Sequence, residues 1–270
     1  MVLVFDLGGT NTRIALADNG EIGEVTRIPT DKSAAGFGKF MGMLEEAAKD
    51  RNISAIAGGM PGQLEGEDGL FMVATNLPEW RGLPVLKQIK DLFGVPVFIS
   101  NDVEMCGLGE AQYGAGLREG VMAYYTVSTG VNGMRLVDGQ IDPSIQHYEL
   151  GKQIIDHEKG VPQELEPLIS GAALERREHK KPHDIKDPKI WAQEERDLAA
   201  GLYNTVLYWN PARIVLGGSM MRDIDIEDVA RDLAKFPKVT EAWPELVAAR
   251  LGDEAGIRGC VARLDTAGYR

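Results

Sequence analysis

The chain is short of cysteine, of aromatic side chains and of positive charge. Its 270 residues include two cysteines, Cys106 and Cys260. Two thiols cannot build a disulfide framework and fall short of a cysteine-based structural zinc site. Aromatics make up 7%, and 29 Lys and Arg face 41 Asp and Glu, a net charge of −12. Nucleic-acid binders usually show a basic face, so the balance argues against that class. It leaves open an anionic small ligand, because backbone N–H groups and a metal hold phosphate without net positive charge. No apolar run approaches the roughly 18 residues that span a bilayer. Residues 1–5 lack the basic start and small-residue cleavage site of a secretory leader. A cytoplasmic protein with no nucleic-acid and no membrane partner is expected. Familiar signatures are missing too: G-x-x-x-x-G-K-[ST], G-x-G-x-x-G, H-E-x-x-H and G-x-S-x-G are all absent. That removes most of the case for a P-loop kinase, a Rossmann dehydrogenase, a zincin or a serine hydrolase.

Glycine, in contrast, is abundant: 32 residues, above the roughly 7% average of proteins. The chain length suits two packed lobes or one large α/β unit. Residues 2–5, 12–17 and 24–28 read as strands separated by glycine turns. Residues 33–51 carry Phe40, Met43, Leu44 and Ala47 at helical spacing. Residues 53–57 and 97–100 read as buried strands with a helix at 86–93 between them. A second cycle opens at 121–127, the most apolar run, turns at 129–133 and returns as a strand at 134–137. Residues 178–189 read as a loop, 193–209 as a long helix and 213–216 as a strand. Strands alternating with helices place the chain in the α/β class. The Gly/Thr turns around Thr10 and Thr129 stand about half a chain apart, a hint of duplication.

Asp6-Leu7-Gly8-Gly9-Thr10-Asn11-Thr12-Arg13 is the first chemical constellation. Glycines without Cβ let backbone N–H groups approach a phosphate closely. Thr10 and Asn11 add side-chain donors, and Asp6 could hold magnesium through water. An ordinary hairpin turn explains the paired glycines equally well. Asn101-Asp102 follows the apolar residues 97–99, at a strand end where α/β folds build sites. Read alone, an Asn or Asp before a helix is more commonly an N-cap.

Asp6-Leu7-Gly8-Gly9-Thr10-Asn11-Thr12-Arg13 resembles the first phosphate motif of the ROK family, within the actin-like ATPase superfamily. The resemblance continues in order. Gly59-Met60-Pro61-Gly62 is similar to the family's G-x-P-G turn, and Asn76-Leu77-Pro78-Glu79-Trp80 to its sugar segment. Asn101-Asp102-Val103 resembles the catalytic segment, and Ser128-Thr129-Gly130 the second phosphate motif. Glu149-Leu150-Gly151 resembles the E-x-G motif, and Ser170-Gly171-Ala172-Ala173-Leu174-Glu175 the segment S-G-x-x-L-E. Residues 214–219 resemble the adenosine-side turn.

The resemblance implies an α/β, two-lobed actin-like ATPase (ribonuclease H-like) fold with a central cleft. The N-terminal lobe would span 1–102 plus a C-terminal helix at about 253–270, and the C-terminal lobe 103–252. It implies an ATP-dependent kinase for the 6-hydroxyl of a hexose, with glucose as first choice and an N-acetylhexosamine, fructose or allose as alternatives. Asp102 would be the general base. Asn76, Asn101, Glu149, Lys152, Glu166 and Gly62 would serve the sugar. Asp6, Gly8, Gly9, Thr10, Asn11, Arg13, Thr129, Gly130, Gly133, Gly217 and Gly218 would serve MgATP, with Asp6 on the Mg2+ through water. Family relatives are often homodimers. A sugar-sensing repressor of this family would carry a helix-turn-helix before Asp6, for which residues 1–5 leave no room.

Two departures from the pattern are visible. Lys152 stands where many relatives have a zinc-ligating His, and the accompanying cysteines are absent, so no structural zinc is expected. Lys152 is then open to pairing with Glu149 or Glu166, or to donating to the sugar. His147 and His157 show no ligand spacing. In the second phosphate turn Asn132 replaces a glycine and Arg135 a small residue, which leaves polyphosphate open as a donor.

Overall fold

The structure is a computed structural model that describes residues 1–73, 77–144 and 148–269. It divides into two units, Met1–Gly109 with Asp253–Arg270, and Glu110–Gly252.

In the first unit β1 (Val2–Leu7) is buried at all six positions, the pattern of a central strand covered on both faces. A glycine turn returns the chain as β2 (Asn11–Asp18), antiparallel to β1 with Asp6 opposite Arg13. The short edge strands β3 (Glu21–Ile22) and β4 (Thr26–Pro29) both pair with β2. Helix α1 (Gly36–Ala48) buries Phe37, Phe40 and Leu44 along one stripe. β5 (Ala55–Met60) runs parallel to β1 and places Gly59 opposite Asp6. A small hairpin, β6 (Gln63–Glu65) and β7 (Leu70–Val73), follows. Helix α2 (Val85–Phe93) ends on Gly94 at φ 65°, the left-handed cap that glycine supplies without strain. β8 (Val97–Asn101) lies parallel to β5, giving the order β3-β2-β1-β5-β8 with β4 on β2. The core gathers Leu3, Phe5, Leu7, Phe40 and Trp80. The Phe5 ring packs edge-on against Phe40 at 5.1 Å. It also fills the space a β-carbon on Gly58 would occupy, so that strand position must be glycine. Helix α3 (Asp102–Tyr113) starts directly at the end of β8.

In the second unit β9 (Val121–Val127) and β10 (Val131–Val137) form an antiparallel pair, extended by β11 (Gln140–Ile141). A polar hairpin, β12 (Ile154–Glu158) and β13 (Val161–Glu164), leads into α4 (Leu165–Ile169) and α5 (Gly171–Glu178). Helix α6 (Pro188–Trp209) is capped by Asp187, whose carboxylate accepts from Lys189 N–H. β14 (Arg213–Gly217) lies parallel to β9, α7 (Ile226–Leu233) follows, and β15 (Glu245–Ala248) lies parallel to β14. The order is β11-β10-β9-β14-β15. Helix α8 (Ala255–Thr266) belongs to the first unit.

The two sheets repeat one pattern. An antiparallel hairpin is followed by two parallel strands added on its first member: β1/β2 then β5 and β8, β9/β10 then β14 and β15. Three readings of the sequence are corrected. Residues 131–133 belong to β10, so the second turn spans only Ser128 to Gly130, and Gly133 sits in a strand against Tyr125. A β-carbon there would press on the Tyr124 carbonyl, which gives Gly133 a packing reason. Helix α6 begins at Pro188 rather than 193, because Asp187 caps it and proline is preorganised for the first helical position. Residues 24–28 are a strand only from Thr26.

Candidate functional site

Two carboxyl groups of the first unit, Asp6 and Asp102, have pKa values raised toward neutrality. Asp6 is 5% exposed near the end of β1. Burial raises its pKa to about 6 against the pull of Arg13, with Asp253 adding to the rise. Arg13 Nη1 donates to Asp6 Oδ2 at 3.1 Å, and its Nη2 donates to Asp253 Oδ1 at 2.5 Å. Arg27 donates to the other Asp253 oxygen at 2.8 Å. Asp102 is half-buried at the start of α3. Loss of hydration, then the negative charge of Asp6, push its pKa up to about 7, against the N–H groups of Val103 and of Asp102 itself. A carboxyl that gives up its proton near neutrality suits proton transfer at physiological pH.

Local structure fixes Asp102. Asn101 caps α3: its Oδ1 accepts from Val103 N–H at 2.9 Å, while Glu104 Oε2 accepts from Asn101 N–H at 3.3 Å. The first is an N-cap bond to the second helical N–H, and the second is the returning half of a capping box. The Asn101 amide donates to the Gly62 carbonyl at 3.1 Å, so Asn101 and Gly62 come together, with Gly62 at φ 92°. Gly59 lets β5 pass close below, since a β-carbon there would lie 3.2 Å from Asp102 Cα.

The turn Gly8-Gly9-Thr10 joins β1 to β2, closed by Gly8 N–H donating to Asn11 C=O at 2.9 Å. Thr10 is exposed, and Gly8, Gly9 and Asn11 are half-buried.

In the second unit the turn Ser128–Gly130 is closed by Ser128 N–H to Gly130 C=O at 2.8 Å. Glu166 Oε2 accepts from Val131 N–H at 3.0 Å. Its Oε1 faces Lys152 Nζ at 3.3 Å, and Lys152 also reaches Glu164 at 3.4 Å. Partial burial pulls the Lys152 ammonium down, yet Glu166 and Glu164 outweigh it and raise its pKa. Of the pairings open for Lys152, the structure has Glu166 and adds Glu164. Glu149 is exposed just before the short turn Leu150–Lys152. Gly217 ends β14, and Gly218 at φ 96° lies against the Val127 backbone. Thr129 is exposed at the tip of its turn. His157 is exposed on β12, and Asn76 and His147 lie outside the described residues.

Asp253, Glu104 and Gly256 were not legible as site residues. A β-carbon on Gly256, in the first turn of α8, would stand 2.6 Å from the Asp6 carboxyl carbon. Asp253 is 240 positions from Arg13, and no local spacing signals that contact. Glu104 had a signal, because N-x-x-E before a helix is a capping pattern. Among the described residues no group of three or more His, Cys, Asp or Glu could hold a metal ion. A lone buried carboxylate such as Asp6 fits Mg2+ held through water and completed by substrate phosphates. No described helix is long and apolar enough to cross a membrane.

A family model described as the ROK family matches residues 2–266. A fructokinase of Zymomonas mobilis is 29% identical, over 94% of this chain and 93% of that protein. A glucokinase of Halalkalibacterium halodurans is 26% identical, over 94% and 92%. Among solved structures, a ROK hexokinase from Thermus thermophilus is 27% identical, covers 99% of both chains and superposes with a TM-score of 0.83. A ROK glucokinase from Streptomyces griseus, in complex with glucose and AMPPNP, has the same fold at 20% identity, covering 97% of this chain and 98% of that one, with a TM-score of 0.79. The α/β fold of the actin-like ATPase type read from the sequence is the fold of these structures. Matched along nearly its whole length, the chain belongs to the ROK family.

Proposed function

We propose that the protein transfers the γ-phosphoryl group of MgATP to the 6-hydroxyl of a hexose. One observation carries this reading. Asp102, with a pKa of about 7, opens α3 close enough to Asp6 for its charge to be felt, and Asp6 leads directly into the Gly8-Gly9-Thr10 turn. A sugar hydroxyl is a poor nucleophile until its proton leaves. The Asp102 carboxylate accepts the O6 proton as O6 attacks the γ-phosphorus. The bond from that phosphorus to the β,γ-bridging oxygen breaks, and ADP departs with the electron pair. Gly8–Asn11 of the first unit, and Thr129, Gly130, Gly217 and Gly218 of the second, are assigned to the nucleotide on their motifs, and Arg13 holds Asp6 in place. Asp6 would hold the Mg2+ that accompanies ATP through water, and the ion would supply charge neutralisation at the phosphates. Asn101, Gly62, Glu149, Lys152 and Glu166 serve the sugar side, and Asn76 is assigned there on the motif alone.

The relatives named glucokinase and fructokinase support a sugar acceptor, and the neighbour holding glucose and AMPPNP supports ATP as donor. Glucose is the first candidate acceptor. Fructose is the second, favoured by the fructokinase relative. The test is ADP release from MgATP with glucose, fructose, mannose, allose and N-acetylhexosamines. Sugar-dependent release supports the reading, and none with any sugar contradicts it.

A further inference from the structure

We propose that Thr30 is a positioning residue for nucleotide binding: it holds the carbonyls of the Gly8-Gly9-Thr10 turn on one side, so that the turn's N–H groups face the other. The proposal rests on the phosphoryl-transfer reading above. Thr30 Oγ1 donates to the Gly8 carbonyl at 2.7 Å. Thr30 N–H donates to the Thr10 carbonyl at 3.0 Å. The buried Thr12 hydroxyl lies 3.0 Å from the Thr30 hydroxyl. A hydroxyl has one proton, and that of Thr30 goes to Gly8, so Thr12 is the donor in this pair. One side chain therefore closes a chain from Thr12 through Thr30 to the turn.

Peptide geometry gives the consequence. Among the described residues every peptide bond is trans, and in a planar trans peptide C=O and N–H point in opposite directions. Fixing the Gly8 carbonyl toward Thr30 turns the Gly9 N–H away from it. Fixing the Thr10 carbonyl does the same for the Asn11 N–H. Both donors are then set before a phosphate arrives, which spares the ordering cost at binding. Core packing does not account for Thr30, which follows an edge strand with no buried residue.

The second glycine turn has the same arrangement from different residues. Gly171 N–H donates to the Ser128 carbonyl at 2.7 Å, and Ala172 N–H to the Thr129 carbonyl at 3.2 Å. Each turn thus has two carbonyls tied from behind, one by a threonine and one by the start of α5. No local motif marks Thr30, which lies 20 residues beyond the turn it holds.

The test is Thr30→Val, with Thr30→Ala read beside it in case the added methyl disturbs folding, and Thr30→Ser as the rescue. Calorimetric titration with Mg2+ and AMPPNP gives binding without turnover, and steady-state kinetics give the two Michaelis constants. Loss of the hydroxyl should weaken AMPPNP binding and raise the KM for MgATP about tenfold. The KM for the sugar should stay within about twofold, and Thr30→Ser should restore both nucleotide constants. AMPPNP binding at wild-type strength in Thr30→Val and Thr30→Ala, equal rises in both KM values, or no rescue by serine would each overturn the proposal. If the wild-type chain neither binds AMPPNP nor phosphorylates any sugar, the kinase reading itself falls, and the two failures are told apart by that control.

Discussion

Gly256 is the floor beneath Asp6: a β-carbon on it would stand 2.6 Å from the Asp6 carboxyl carbon and 2.9 Å from both carboxyl oxygens. The start of α8 therefore meets β1 at the residue that leads into the first turn. Gly256→Ala must displace a short, buried side chain already tied to Arg13. A misplacement of about 1 Å costs on the order of 100-fold in rate. The prediction is a fall of that size in kcat/KM with the far-UV spectrum unchanged. Activity within a few-fold of wild type would show that Asp6 need not hold its place.

Asp102 is predicted to be a site held at the expense of stability. Its folded pKa of about 7 lies above the ordinary aspartate value of 3.8. Between those values the native state holds a proton that the unfolded chain has lost, so stability falls as pH rises through the window. Asp102→Asn removes that penalty. Its Tm should exceed the wild-type value at pH 8 by about 3 °C or more, with a smaller gain at pH 5, while turnover is lost. Equal gains at both pH values would contradict the assigned ionisation.

The same ionisation sets the pH profile of the reaction. A base must be deprotonated to act, so kcat/KM should fall on the acid side with an apparent pKa of about 7. Asp6, at about 6, adds to that limb. A profile flat down to pH 5 would remove Asp102 from the role of base.

Lys152 gives a graded prediction. Its Nζ is 3.3 Å from Glu166, and its side chain is half exposed. An exposed ion pair is worth at most about 1 kcal/mol, so Lys152→Met should raise the sugar KM by no more than about fivefold and leave the KM for MgATP alone. A loss of 100-fold would mean that the ammonium itself touches the substrate.

The α/β class, most strands and the first glycine turn were legible, because buried runs such as residues 121–127 and the Gly-Gly pair leave local marks. The hairpin β12/β13 was not, since its residues are mostly exposed and carry no apolar alternation. Its signal was Lys159-Gly160, both at positive φ, the pair a two-residue turn requires. The second turn is shorter than its sequence suggests, because Asn132 and Gly133 resemble turn residues while pairing of β10 with β9 draws them into the sheet. The supports of the candidate site were illegible for another reason. Asp253, Gly256 and Thr30 act across 20 to 250 residues of chain, and such contacts exist only once the sheet has formed. Asn101 showed both of its faces in the sequence, and the structure has it as the cap of α3.

The central claim is that Asp102 drives phosphoryl transfer from MgATP to a sugar. The most direct measurement is sugar-dependent ADP release by the wild-type chain and by Asp102→Asn, across glucose, fructose, mannose, allose and N-acetylhexosamines at pH 8. Turnover on at least one hexose by the wild type, with a phosphate ester at its 6-position, is expected, with a loss of at least about 100-fold in Asp102→Asn. Wild-type inactivity on every sugar, or undiminished turnover by Asp102→Asn, would contradict it.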